Sequence, residues 1–151
     1  MPRFFNPRRI AMPASLYSHG VVHSGRARRL VISGQIGARL DGTIAETLEE
    51  QMDVAWDNLI EVLREGGMTV ADLVKVVTYV TVPGAVALAR QVRQRKLGQH
   101  APASTYLQVA GLATPEFLFE VEGEAVSEDP EGLFDDFPDA VAGAERFRPK
   151  S

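Results

Sequence analysis

The segment 46–64 constrains the fold most, because its apolar residues recur every three or four positions. This spacing is that of one face of an α-helix. Acidic residues lie in its first half, Arg64 lies at its end and Gly66-Gly67 follows, as the helix dipole and a glycine stop signal require. The apolar stripe comprises Leu48, Met52, Ala55, Trp56, Leu59, Ile60 and Leu63. The sequence therefore predicts a helix that covers another apolar surface.

β-branched or alternating segments on both sides of this helix predict strands. After an irregular lead-in at 4–14, the runs 20–24 and 29–33 flank Gly25-Arg26 and are interpreted as a hairpin. Further strands are predicted at 73–81, 104–110 and 117–126, the first of them after a capping box formed by Thr69 and Asp72. In the last strand Phe117, Phe119 and Val121 alternate with polar positions.

A second, basic helix is predicted after Pro83, so the element order is β-β-(β)-α-β-α-β-β. Helices between strands imply crossover connections within one mixed sheet, with both helices on the same face. The fold class is therefore α/β, in the α+β arrangement. The other sheet face has no cover, and this predicts a closed homo-oligomer.

Composition limits the classes of function. The 151 residues include no cysteine, which excludes disulfides, thiolate metal sites and a cysteine nucleophile. Residues 127–151 hold seven acids and three bases and account for the net charge of −4. We therefore predict one domain at 1–126 and an acidic extension at 127–151, disordered or docked on a neighbouring subunit. No apolar run spans a membrane, so a cytoplasmic protein is expected, and the balanced domain does not indicate nucleic-acid binding.

Three local patterns are candidates for chemistry. His19 and His23 lie four apart, but on a strand they are too distant for one metal ion, and no metal is expected. Ser33-Gly34-Gln35 ends a strand, either as a simple turn or where a ligand approaches backbone N–H groups. Glu120, Glu122 and Glu124 form a ladder, either solvated or with one carboxylate serving as a base in a cleft.

Six fragments in order resemble the Rid/YjgF family of reactive intermediate deaminases. The match runs over about residues 10–126, and each fragment is short. The fragments are Pro13 through Tyr17-Ser-His, Val31-Ile-Ser-Gly-Gln-Ile36, Gln51 to Asn58 with Gly66-Gly67, Asp72 to Val80, Ala101-Pro-Ala-Ser-Thr105, and Leu118 to Ala125. The resemblance implies a chorismate-mutase-like fold, assembled as a homotrimer whose sheets form a central barrel.

The resemblance also implies a site in clefts between subunits, where imines or enamines are hydrolysed to a keto acid and ammonia without metal or cofactor. Glu120 matches the water-positioning carboxylate. Four positions match substrate-binding parts of the cleft: Tyr17, Ser33, Gly34 and Tyr106.

One family feature is replaced in this chain. Ser104 occupies the position of the arginine that grips the substrate carboxylate, and a serine cannot form that bidentate bond. This argues against the family's 2-iminobutanoate and 2-iminopropanoate activity and predicts a ligand without an α-carboxylate. Arg90 either supplies a cation from the second helix or is a solvated arginine beside Arg93 and Arg95, and the basic helix face favours the latter.

The leading hypothesis is thus a divergent RidA-like homotrimer that binds a small imine, enamine or carbonyl compound and hydrolyses it with a Glu120-positioned water. The alternative is a trimer that binds a metabolite or a partner and has lost deaminase activity. Ribonuclease activity, reported for some relatives, has little support because the domain lacks a basic aromatic platform.

Overall fold

A computed structural model describes residues 2–9, 13–23 and 25–128. Most of the predicted acidic extension, from 129 onward, lies outside the described residues. Within the described part, the elements follow in this order: β1 (Arg3–Phe5), β2 (Gly20–Val22), β3 (Arg28–Ile36), α1 (Leu48–Glu65), a short 3-10 turn (Val70–Asp72), β4 (Leu73–Val80), α2 (Val86–Leu97), β5 (Ala103–Gln108) and β6 (Phe119–Ser127).

The main sheet is mixed, as predicted. Its strand order is β3-β6-β4-β5, with β4 and β5 parallel and the other pairs antiparallel. The parallel pair requires a crossover, and α2 provides it. The side chains of β6 alternate as the sequence indicates, with Phe119, Val121 and Ala125 buried under the helices.

The predicted hairpin between 20–24 and 29–33 is wrong. β2 pairs instead with β1, which lies in the supposed irregular lead-in, and Phe4 stands opposite Val21. The ring of Phe5 packs so closely on Gly20 that an added Cβ would lie 2.5 Å from its Cζ atom. β3 pairs with β6, a strand about 90 residues away, because that pairing brings Ile32 into the core beside α1.

Helix α1 begins after a capping residue that the sequence provides. Thr47 is the N-cap, and a reciprocal capping box links it to Glu50. The residues of α1 that are fully buried against the sheet are Met52, Ala55, Trp56, Leu59 and Leu63. Helix α2 packs on the same side, so both helices cover one sheet face as predicted.

Two amides of α1 bond to backbone groups of neighbouring segments. Gln51 is buried, and its Nε2 donates to the carbonyl oxygens of Ala45 at 3.0 Å and Glu116 at 2.8 Å. Its Oε1 accepts the N–H of Leu118 at 2.8 Å. Asn58 donates to the carbonyl oxygen of Ile36, at the end of β3, and to that of Ala38, just beyond it. These amides fix the ends of β3 and the approach to β6 relative to α1.

A β-bulge interrupts β3. Ile32 stands opposite Gly123 and Gln35 opposite Val121, so two residues of β3, Ser33 and Gly34, face one residue of β6. The bulge brings the backbone of Gly34 close to the side chain of Glu120.

The sheet face opposite the helices is open within this chain. Val31 is 65% exposed and Leu107 is 43% exposed. Polar side chains lie among them, for example Lys75, which donates to the hydroxyl of Thr105 at 2.7 Å. In the described part of the chain, neither helix is both long and apolar enough to cross a bilayer.

Candidate functional site

A pocket of about 180 Å³ lies between α2 and the β4–β5 edge of the sheet. It brings together four of the seven residues singled out in the sequence: Tyr17, Arg90, Ser104 and Tyr106. The rest of its wall consists of Ser15, Thr78, Val86, Ala89 and Arg93. This volume suits a small organic molecule rather than a polymer.

The segment that carries Tyr17 is tied to the start of β5. Ser18 is buried, its Oγ donates to the carbonyl oxygen of Ala101 at 2.7 Å, and its N–H donates to the carbonyl oxygen of Pro102 at 3.2 Å. The ring of His19 stands edge-on to that of Tyr17, with 5.7 Å between centroids. A long-range tether therefore holds Tyr17 beside Ser104 and Tyr106.

Arg93 lines the pocket, although the sequence predicts a solvated arginine on the basic face of α2. It is half-buried, and its Nη1 donates to the hydroxyl of Ser104 at 2.8 Å. Its Nη2 donates to the Oγ of Ser15 at 3.3 Å and to the carbonyl oxygen of Leu16 at 3.1 Å. A signal was present in the sequence, because Arg93 lies three residues after Arg90 and shares its helix face.

Burial and charge act on the ionisable groups of this pocket. Burial, and after it the charge of Arg90, lower the pKa of Arg93, while Tyr17 acts in the opposite direction. The guanidinium still carries its charge at neutral pH, because an arginine side chain does not lose its proton in proteins. Burial raises the pKa of Tyr106, so its hydroxyl keeps its proton and can donate a hydrogen bond.

Glu120 and Gly34 meet at a second place, away from this pocket. A Cβ added to Gly34 would lie 1.8 Å from Oε1 of Glu120, so the carboxylate lies directly over the glycine backbone. Ser33 precedes it and is exposed, and its carbonyl oxygen accepts the side-chain amide of Gln35 at 3.0 Å. Glycine allows this close approach, because a side chain at position 34 would occupy the position of the carboxylate.

The other two carboxylates of the ladder are engaged by neighbours. Tyr79 donates its hydroxyl to Glu122 at 2.9 Å, and this bond, followed by burial, raises the pKa of Tyr79. Arg29 bonds to Glu124 at 2.7 Å. Glu120 makes no hydrogen bond or ion pair with any residue in the described ranges. Two members of the ladder are thus bound by neighbouring side chains, and Glu120 is the one member left for a ligand within those ranges.

The pocket and Glu120 lie on different faces of the sheet. Ser104, Tyr106 and Thr78 face the helices, whereas alternation along β6 directs Glu120 to the open face. Glu120, Ser33 and Gly34 accordingly do not line the pocket of this chain. A single site containing all seven residues would need a second copy of the chain.

The surroundings of His19 show a structural contact of its backbone. The described ranges hold no group of three or more His, Cys, Asp or Glu side chains arranged to bind a metal ion. The backbone N–H of His19 donates to the side-chain oxygen of Asn6 at 2.8 Å.

We expect Gly34→Ala to move the carboxylate of Glu120 without unfolding the domain. The overlap involves the end of a flexible side chain, and the φ of Gly34 is not positive, so the stability loss should stay within about 1 kcal/mol. A crystal structure and a thermal melt of the variant test this. Gly111→Ala is the control, because a Cβ at Gly111 meets open space. A Glu120 that stays in place while β3 shifts would contradict the prediction.

The fold and the pocket define a class: a small α/β domain with two helices on one face of a mixed sheet and a ligand-sized pocket at its edge. A family model described as "Endoribonuclease L-PSP" matches residues 8–127. The chain therefore belongs to this family, the Rid/YjgF family that its motifs resemble.

Individual relatives agree with this membership. The chain is 39% identical over 54 residues to the RutC family protein YjgH of Escherichia coli, a match that covers 36% of the chain and 41% of that protein. It is similar to the structure of YyfB from Yersinia pestis, described as a protein of unknown function of the conserved Rid family. The identity is 32% and the TM-score 0.74, over 83% of this chain and 98% of that one.

A putative endoribonuclease from Thermotoga maritima is 30% identical, with a TM-score of 0.64 over 85% of this chain and all of that one. These similarities confirm the predicted fold.

Proposed function

We propose that this protein binds a small imine, enamine or carbonyl compound and hydrolyses it with a water positioned by Glu120. The observation that carries the proposal is the Glu120 carboxylate, which lies over the Gly34 backbone without a partner among the described residues. A carboxylate in this state can accept a proton from water, and the neighbouring glycine leaves room for a ligand. The family membership and the small pocket support the same conclusion.

The chemistry needs no redox partner. As a water oxygen bonds to the imine carbon, the water loses a proton to Glu120 and the C=N electron pair moves to nitrogen. Glu120 returns this proton to the nitrogen, which gives a carbinolamine and restores the carboxylate. The carbinolamine hydroxyl then passes its proton to the nitrogen, the C–N bond breaks as the C–O bond becomes C=O, and ammonia leaves. One imine and one water give one carbonyl compound and one ammonia. The chain contributes positioning and proton transfer.

The proposal includes a homotrimer. The open sheet face with exposed Val31 and Leu107 supports burial against other copies. The separation of Glu120 from the pocket supports it too, because a neighbouring subunit could bring its Glu120 to the pocket of the first. Both halves of the site would then meet at a subunit boundary. Sedimentation equilibrium should give three times the monomer mass of 16.5 kDa.

The test of the function is ammonia release from imines that a PLP-dependent lyase generates in situ. We expect the protein to accelerate release above the spontaneous rate, in proportion to its concentration. The binding-only alternative, which the replacement of the family arginine by Ser104 favours, predicts the spontaneous rate for every imine of the panel. That result would refute the hydrolase. A pocket of about 180 Å³ also favours a small substrate over the RNA suggested by the family model's description.

A further inference from the structure

The basic residues near the C-terminal end of α2 have different partners. Arg95 bonds to Glu49 and Asp53 of α1, each at 3.1 Å, and Lys96 bonds to Asp57 at 2.6 Å. Asp53 and then Glu49 raise the pKa of Arg95 above its ordinary value. The charges of these two residues are therefore compensated by α1.

Arg90 and Arg93 lie one turn apart and line the pocket, and their charges are not compensated in this way. No acidic residue lines that pocket, and neither arginine makes an ion pair with a residue in the ranges that the structure describes. The charge of Arg90 contributes to the lowered pKa of Arg93. Two like charges beside a pocket to which their own chain supplies no carboxylate favour the binding of an anion.

Arg93 has donors to spare. A guanidinium carries five N–H donors in a planar fork. Three hydrogen bonds join it to Ser104, Ser15 and Leu16, and these bonds orient the fork. Within the described residues, two N–H groups are left for a ligand. The side chains of Tyr17 and Tyr106 lie on the same wall.

We propose that this pocket binds the carboxylate of a small organic anion, held by Arg93 and attracted by Arg90. The cation that the strand lacks at Ser104 is thus supplied from α2. This reverses the expectation of a ligand without a carboxylate. The anion site rests on the proposed function only in that the bound anion would be the substrate. It assigns Arg93 as a residue that determines substrate specificity.

Binding of small probes to the full chain tests the inference by calorimetry at low ionic strength. The probes are pyruvate, its uncharged methyl ester and inorganic phosphate. We expect pyruvate to bind at least about 10-fold more tightly than the ester, and Arg93→Gln to weaken pyruvate binding by about 10-fold or more, as charge-assisted bonds imply. Arg90→Gln should weaken it by about 3-fold. Arg95→Gln, on the same helix but paired with α1, should leave it unchanged.

Arg93→Gln also removes the bonds to Ser104, Ser15 and Leu16, so its thermal unfolding is measured alongside. Arg90→Gln removes no such bond and serves as the variant with intact packing. The inference is overturned if the ester binds as tightly as pyruvate, if phosphate binds and pyruvate does not, or if both variants bind pyruvate like the unchanged protein.

The outcomes separate this inference from the hydrolase. Arginine-dependent pyruvate binding without imine hydrolysis would refute the hydrolase and support the anion site. Imine hydrolysis that is unaffected by Arg93→Gln would refute the anion site and support the hydrolase.

Discussion

Glu120→Gln is expected to lower ammonia release from imines by about 100-fold to 1000-fold, the usual contribution of a positioned general base. The glutamine amide has nearly the same shape and can still lie over Gly34, but it cannot accept the proton that water must lose. Binding of a non-reacting carboxylate probe should not weaken, because the change removes a negative charge and leaves the arginines of the pocket in place. Steady-state rates and calorimetry measure the two effects.

The matched control is Glu124→Gln, which removes one charge from the same face of the same strand. Glu124 bonds to Arg29, and both side chains are partly exposed to solvent, so loss of this ion pair should cost less than about 1 kcal/mol. Release rates should stay within about 2-fold. If Glu120→Gln kept more than a third of the rate, Glu120 would not be the base.

The second large effect is on stability. Gln51→Leu is expected to lower the free energy of unfolding by about 3 kcal/mol, and Tm by about 10 °C. Leucine fills similar space but leaves the carbonyl oxygens of Ala45 and Glu116 and the N–H of Leu118 without this buried partner. Denaturant unfolding and thermal melts measure the loss.

Gln91→Leu is the control for this change, because Gln91 is exposed on α2. The same chemical substitution there should alter stability by less than about 0.5 kcal/mol. Equal losses in the two variants would show that the buried amide does not hold the segment before β6. Gln51→Leu should also reduce turnover, since residues 116–118 lead directly into the strand that carries Glu120.

Local patterns allowed the prediction of α1 and β6, because each buries one face and its period is visible along the chain. The pattern of Met52, Trp56 and Leu59 specifies a helix wherever the partner surface lies, and the alternation around Phe119 and Val121 specifies a half-buried strand. The family motifs indicated that the fold is of the chorismate-mutase-like kind. Together, the periodic patterns and the motifs predict the fold class.

Pairing partners could not be read in the same way. The strand at 20–22 has ordinary strand residues, and its partner is chosen by the fit of Phe5 on Gly20, a contact between distant positions. The prediction of a hairpin used only the proximity of the two runs along the chain. The contact between Phe5 and Gly20 instead pairs this strand with β1.

The candidate site was predictable as a set of residues but not as an arrangement. Tyr17, Arg90, Ser104 and Tyr106 meet in one pocket, while Glu120 and Gly34 meet elsewhere, and nothing in their spacing separates the two groups. Arg93 was missed because a charged helix face is usually solvated. Its burial depends on the segment carrying Ser15 and Leu16, which crosses the helix end from far away in the sequence.

Because of the bulge in β3, the contact between Glu120 and Gly34 depends on the number of residues in this part of the strand as well as on their type. Two residues of β3 share one position of β6 there, so the strand on either side keeps its own register. Loss of either Ser33 or Gly34 would leave a single residue opposite Glu122, so the pairs on both sides would keep their register and facing while the bulge itself disappeared. A one-residue deletion would therefore leave Ile32 buried opposite Gly123 but remove the bulge that brings Gly34 close to Glu120.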